Sequence, residues 1–183
     1  MDFGIIFTKL LAIFTIEGNI FFVLLLITRV VAKPIFHKVM EWMGKHALLL
    51  GLFLSASSTM GSLVYSQVVG FPACILCWIQ RVFMYPQMLL FGLAWWRKDW
   101  SIIPYALLLT LVGGAVALYQ WVKDMLVLYG DGSFSLGCPV VAGLPSCDRI
   151  YVLEFGYITI PMIALNAFIL IATVLYASLR RKA

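Results

Sequence analysis

Four cysteines carry most of the chemistry open to this 183-residue chain. Cys74 and Cys77 form a Cys-x-x-Cys pair, with Pro72 ahead of it and Arg81 four residues beyond the second thiol. A disulfide across so small a loop stabilises little in the chain-entropy account, so the value of the pair is chemical. Pro72 before the pair and Trp78 opening a helix predict thiols at a helix N-terminus. There, unsatisfied N–H groups and the positive end of the helix dipole favour thiolate. Arg81, at i+4 from Cys77, shares its helix face about one turn deeper and adds to that field. Cys138 and Cys147 lie nine apart in the longest polar segment. Pro139, Gly143 and Pro145 between them make a constrained, hairpin-like loop that could close a second disulfide. Either pair alone also reads as a staple, and four thiols could hold zinc, although the wider spacing is poor for a zinc knuckle. Two pairs facing one side favour thiol–disulfide exchange, with no metal.

The elements that position these sulfurs must lie in a membrane. Hydrophobic residues make up 63% of the chain and charged ones 11%, with a mean hydropathy of +1.02. A soluble domain carries about 25% charged residues, so this excess of apolar surface has no soluble core to hide in. The net charge of +5 comes from short basic clusters between apolar runs, which read as topology signals and not as a nucleic-acid surface. The first residues have no basic start and no small-residue cleavage site, which argues against a removable signal peptide. No phosphate loop, Ser/His/Asp arrangement or His-rich metal pattern appears; His37 and His46 have no acidic or cysteine neighbours.

Five spans are expected: Leu10 to Thr28, Ala47 to Val69, Trp78 to Trp96, Ser101 to Val122 and Tyr157 to Ala177. The first requires Glu17 and Asn19 to face other helices. Between the first two, Pro34 breaks the chain, and Phe36, Met40 and Met43 recur at helical spacing among lysines, predicting a short amphipathic surface helix. Ser55, Ser57, Ser58, Gly61 and Ser62, and later Gly113 and Gly114, are small residues suited to close helix contact in lipid. Pro86 is a kink point, and residues 123–156 form a polar loop rich in Gly and Pro.

Loop charge sets the orientation. Arg29, Lys33, Lys38, Lys45, Arg97, Lys98, Arg180, Arg181 and Lys182 gather on one side, which the positive-inside rule makes cytoplasmic. All four cysteines then face the opposite, oxidising side, where disulfides persist. A guanidinium at the depth of Arg81 costs about 3 kcal/mol without a partner. Its partner is a thiolate, a quinone oxyanion or a lipid phosphate, unless the side chain simply snorkels to the interface.

The run from Pro72 through Cys74, Cys77, Trp78, Gln80 and Arg81 to Met84-Tyr85-Pro86 resembles the DsbB/BdbC family of membrane disulfide-bond formation proteins. The order of the two cysteine pairs matches as well, and the resemblance covers residues 47–178. It implies an all-α polytopic protein: a four-helix transmembrane bundle over 47–183, with working loops near 70–77 and 123–156. Residues 1–46 then add a further transmembrane helix and a basic amphipathic segment. The resemblance implies a thiol:quinone oxidoreductase of the bacterial cytoplasmic (inner) membrane. A DsbA-like thioredoxin-fold oxidase would attack a Cys138–Cys147 disulfide, at Cys138. Electrons would pass to Cys74–Cys77, and Cys77 would donate them to ubiquinone or menaquinone from the lipid pool, with Arg81 at the quinone oxygen. The alternative is a non-enzymatic membrane subunit or assembly factor with structural disulfides or zinc.

Two departures matter. Gln80 stands where better-known members often have an acid, and Tyr119-Gln120-Trp121 stands where they can have a Tyr-Glu-His run. Proton-handling roles at those places do not carry over. Tyr119 and Gln120 are weak candidates for quinone contact and read more simply as interface anchors.

Overall fold

A computed structural model describes residues 3–130, 143, 145–147 and 149–182 of the chain. Among them it is all-helical, with one isolated antiparallel bridge between Glu154 and Ile158. The helices are α1 (Phe3–Val31), α2 (Lys33–Lys45), α3 (Ala47–Leu63), α4 (Ile75–Arg97), α5 (Ile103–Tyr129) and α6 (Ile160–Lys182). A single π turn, Val64–Val68, prolongs α3.

Helix α1 is continuous through Glu17, because lipid-facing apolar residues surround the two polar positions and no breaker occurs before Pro34. Pro34 lies in the first turn of α2, where its missing N–H has no helical partner to lose. Helix α2 buries Phe36, Met40, Met43 and Gly44 and packs on α6. A Cβ at Gly44 would come within 2.7 Å of the Ala177 carbonyl oxygen, so the contact requires glycine.

Helices α3, α4, α5 and α6 form a closed ring of neighbours. Their directions alternate. Gly51 and Ser62 of α3 meet Phe91 and Arg81 of α4 in reversed order, and Gln80 and Gln87 of α4 meet Gln120 and Thr110 of α5 likewise. Gly113 of α5 lies against Phe168 of α6, where an added Cβ would fall 2.5 Å from the ring. The small residues therefore mark real close approaches, as lipid-embedded helices require.

Four helices among the described residues are long and apolar enough to cross a membrane: α1, α3 with its π turn, α5 and α6. Helix α4 is not apolar enough by composition, yet its 23 residues extend about 35 Å. It must return across the same thickness, because α3 and α5 run in the same direction on either side of it. Its polar side chains Gln80 and Gln87 face the bundle interior and are buried. The protein is a multi-pass membrane protein, a four-helix bundle with an additional N-terminal helix.

Several helices run past the expected spans, α1 starting at Phe3 and α6 reaching Lys182, and one extension matters for the site. Helix α5 continues to Tyr129, about two turns past Val122, and takes in Lys123 and Asp124, both buried. These charges read as loop residues in the sequence because they follow an apolar run.

Candidate functional site

The site begins at the end of α3. The π turn carries Tyr65, and Gly70 then adopts a positive φ of 83°, which reverses the chain at a position suited to glycine. Phe71 N–H donates to the Tyr65 carbonyl at 2.9 Å, closing the turn. An aromatic column fixes it further: Phe7 of α1 meets Tyr65 edge-on at 5.3 Å, Tyr65 stacks on Phe71 at 5.9 Å, and Phe71 stacks on Tyr151 at 5.0 Å. The turn before the Cys-x-x-Cys is thus tied both to α1 and to the segment following Cys147.

Cys74 is the residue immediately preceding α4, in extended conformation, and Cys77 lies in the first turn. Their sulfurs are 3.3 Å apart, and both are free thiols. Gln120 of α5 reaches across the bundle, its Nε2 lying 3.4 Å from Cys74 Sγ and 3.5 Å from Cys77 Sγ. Gln80 Nε2 donates to Gln120 Oε1 at 2.7 Å and so fixes the direction of that amide. Hydrogen bonding with Cys77 lowers the Cys74 pKa to about 6 against the opposing effect of burial. The backbone N–H groups of Cys77 and Leu76 and the Gln120 amide lower it further. This is the thiolate environment expected at a helix start.

Cys147 is buried and disulfide-bonded, and it packs in one apolar cluster with Cys74 and Leu76, bordered by Cys77. Cys138 lies outside the described residues, as does most of the loop around it. The structure therefore brings together three of the four sulfurs.

Arg81 lies one turn below Cys77 and makes its hydrogen bonds with α3. Its Nε donates to Ser62 Oγ at 3.0 Å and Nη2 to the Ser62 carbonyl at 3.2 Å, with Tyr85 Oη also 3.2 Å from Ser62 Oγ. The guanidinium carbon sits 5.1 Å from the Trp78 ring centre. Ser62 takes two of the five guanidinium donors.

These groups open onto a cavity of about 660 Å³, within the size range of small-molecule sites. Cys74, Cys77, Gln80, Arg81, Tyr85 and Gln120 line its polar end, while Leu50, Phe53 and Leu54 of α3 and Ile163 of α6 carry it deeper into the bundle. Phe14, Glu17 and Phe21 of α1 complete it. An apolar channel ending in a thiol pair, an arginine and amide donors fits a molecule with a polar ring and an apolar tail. Arg81, Tyr85 and Gln120 are hydrogen-bonding side chains placed to meet the polar end of such a molecule.

Two of these residues were underrated in the sequence: Gln120, only a weak candidate there, and Ser62. Gln120 reads as an interface anchor, but it is buried because α5 turns it onto the thiols, whereas Tyr119 is partly exposed. Ser62 reads as a packing residue, and its role as the anchor for Arg81 depends on the register of α3 against α4.

The profile of the family described as disulfide bond formation protein DsbB matches residues 44–178. A probable disulfide formation protein C of Bacillus cereus is 33% identical over 138 residues, which cover 75% of this chain and 95% of that protein. A probable disulfide formation protein of Metapseudomonas resinovorans is 35% identical over 142 residues, 78% of this chain and 93% of the relative. The disulfide bond formation protein C of Bacillus subtilis is 38% identical over 112 residues, 61% and 77% of the two chains. No solved structure matches this chain.

Proposed function

This chain belongs to the DsbB family of disulfide bond formation proteins, and on that premise we propose that it is a thiol:quinone oxidoreductase reoxidising a DsbA-like thioredoxin-fold partner. Loop charge supports an orientation with the cysteine end outside the cytoplasmic membrane and the C-terminus inside.

The partner's thiolate attacks Cys138, breaking a Cys138–Cys147 disulfide and forming a mixed disulfide. The partner's second thiol resolves it, and the partner leaves oxidised. Two electrons and two protons now reside on Cys138 and Cys147. Exchange with the Cys74–Cys77 disulfide re-forms the first bond and leaves Cys74 and Cys77 as thiols. Bound quinone supplies the two-electron acceptor. It would take the two electrons and two protons of Cys74 and Cys77 and leave as quinol, re-forming their disulfide, while Arg81 would hold positive charge beside its ring oxygen. Hydrogen bonding with Cys77, and to a smaller extent with the Gln120 amide, favours the thiolate form of Cys74.

The observation that carries this reading is adjacency. Cys74, Cys77 and Cys147 share one buried cluster at the polar end of the apolar cavity. The test is reduction of quinone by the purified protein supplied with a reduced thioredoxin-fold dithiol. Each of the four cysteines replaced by serine should abolish turnover. Full turnover in Cys77→Ser would refute the assignment.

A further inference from the structure

Helix α1 lies outside the matched family region, which begins at residue 44, yet it is built into the cavity. Two seams hold it. Asn166 Nδ2 of α6 donates to Asn19 Oδ1 at 2.6 Å and to the Thr15 carbonyl at 3.2 Å. Gly18 lets Asn166 approach so closely that an added Cβ would lie 2.5 Å from its Oδ1. At the cysteine end, Tyr65 Oη lies 3.3 Å from Thr8 Oγ1, and Phe7 meets the same tyrosine ring.

Along this stretch Leu11, Phe14, Gly18 and Phe21 line the cavity, spaced three and four apart on one stripe of the helix. Phe14 and Phe21 are 64% and 41% exposed, so their rings face open space and not the packed core. Opposite them the α3 lining runs from Leu50 to Ser62, a depth of about 18 Å. The cavity is therefore long, lined by α1 and α3, and provided with donors and thiols at one end.

We infer that α1 is the second wall of the quinone site, and that Phe14 and Phe21 hold the isoprenoid tail of a quinone whose ring lies beside Cys77 and Arg81. This inference rests on the quinone reading given above. The occupant follows from the shape: a neutral ring needs the polar end, and only a long apolar tail uses the remaining depth. Helix α1 thereby turns a groove that four helices would leave open to lipid into a walled channel, and makes tail length a determinant of affinity.

The test measures equilibrium binding to the detergent-solubilised full chain by quenching of tryptophan fluorescence at fixed detergent concentration. Two quinones sharing one ring are compared, one without a tail and one with a long isoprenoid tail. The unaltered protein should prefer the long-tailed compound. Phe14→Ala combined with Phe21→Ala should weaken that compound about tenfold and leave the tail-less one within roughly twofold. Ile13→Ala combined with Leu24→Ala, at exposed positions of α1 that do not line the cavity, should change neither. The inference is overturned if the double phenylalanine variant keeps the full preference, or if the unaltered protein shows none. Binding of neither quinone to the unaltered protein would instead defeat the quinone reading itself.

Discussion

Gln80 Nε2 donates to Gln120 Oε1 at 2.7 Å, and the amide so oriented turns its own Nε2 toward Cys74 and Cys77. Two neutral side chains on α4 and α5 thus provide a donor to the sulfurs without adding a charge to the bundle interior, where an unpaired charge is costly. Replacing Gln120 by glutamate would reverse this arrangement, because an ionised carboxylate only accepts hydrogen bonds.

The thiol pair sets a pH dependence, in which hydrogen bonding with Cys77 is the main influence on Cys74 and the Gln120 amide a smaller one. Cys74 is lowered to about 6, so it is thiolate above that pH and becomes protonated as pH falls through it. Its far-ultraviolet thiolate absorbance, measured against Cys74→Ser, should therefore titrate near pH 6. Gln120→Leu should move the midpoint upward, and Gln120→Glu further. An ordinary thiol titration in the parent protein would contradict the geometry.

Ser62 accepts from Arg81 Nε and lies within hydrogen-bond distance of Tyr85 Oη. Ser62→Ala should leave the guanidinium its backbone contact but loosen its aim, at a cost of about 1 kcal/mol. The expected result is a rise of about fivefold in KM for quinone with kcat little changed. Arg81→Lys, which has no planar fork, should lose more.

Gly113 lies where a Cβ would fall 2.5 Å from Phe168 Cζ and 3.0 Å from Phe83 Cβ. Gly113→Ala should destabilise the α5–α6 contact by about 1–3 kcal/mol, as overpacking does. Thermal unfolding in detergent should show a lowered Tm, and adding Phe168→Leu should recover part of it.

Sidedness has its own check. A thiol reagent that cannot cross membranes should reach reduced Cys138 from outside intact cells, and a cysteine introduced at Lys98 only after lysis. Labelling in the opposite order would reverse the orientation drawn from loop charge.

The membrane-embedded elements were legible because apolar runs of about 20 residues report directly on lipid. Even Glu17 did not mislead there, since α1 runs unbroken through Glu17 and the adjacent Gly18, with no proline before Pro34. The placement of Cys74 and Cys77 at a helix start, with Arg81 one turn further on, was legible from spacing. What the pattern did not reveal was which helix faces meet. Ser62 and Arg81 are 19 residues apart, and Gln80 and Gln120 are 40 apart. Their pairing depends on the rotation of each helix about its axis, which local periodicity in a uniformly apolar span barely encodes. The buried charges Lys123 and Asp124 were hidden for a related reason: a charged pair after an apolar run looks like a loop until a neighbouring helix covers it. The contribution of α1 to the cavity was equally invisible, because Phe14 and Phe21 look like any other lipid-facing residues.

The central claim is that Cys74 and Cys77 pass electrons from Cys138 and Cys147 to quinone. The most direct measurement is a single turnover without any partner: the fully reduced, quinone-free protein is mixed with excess quinone, and quinol and free thiols are counted together. The account predicts that Cys74→Ser and Cys77→Ser form no quinol, while Cys138→Ser and Cys147→Ser each form one quinol per chain as Cys74 and Cys77 lose their thiols. Quinol formation by the Cys77→Ser protein, or none by the Cys138→Ser protein with its Cys74 and Cys77 thiols unchanged, would contradict it.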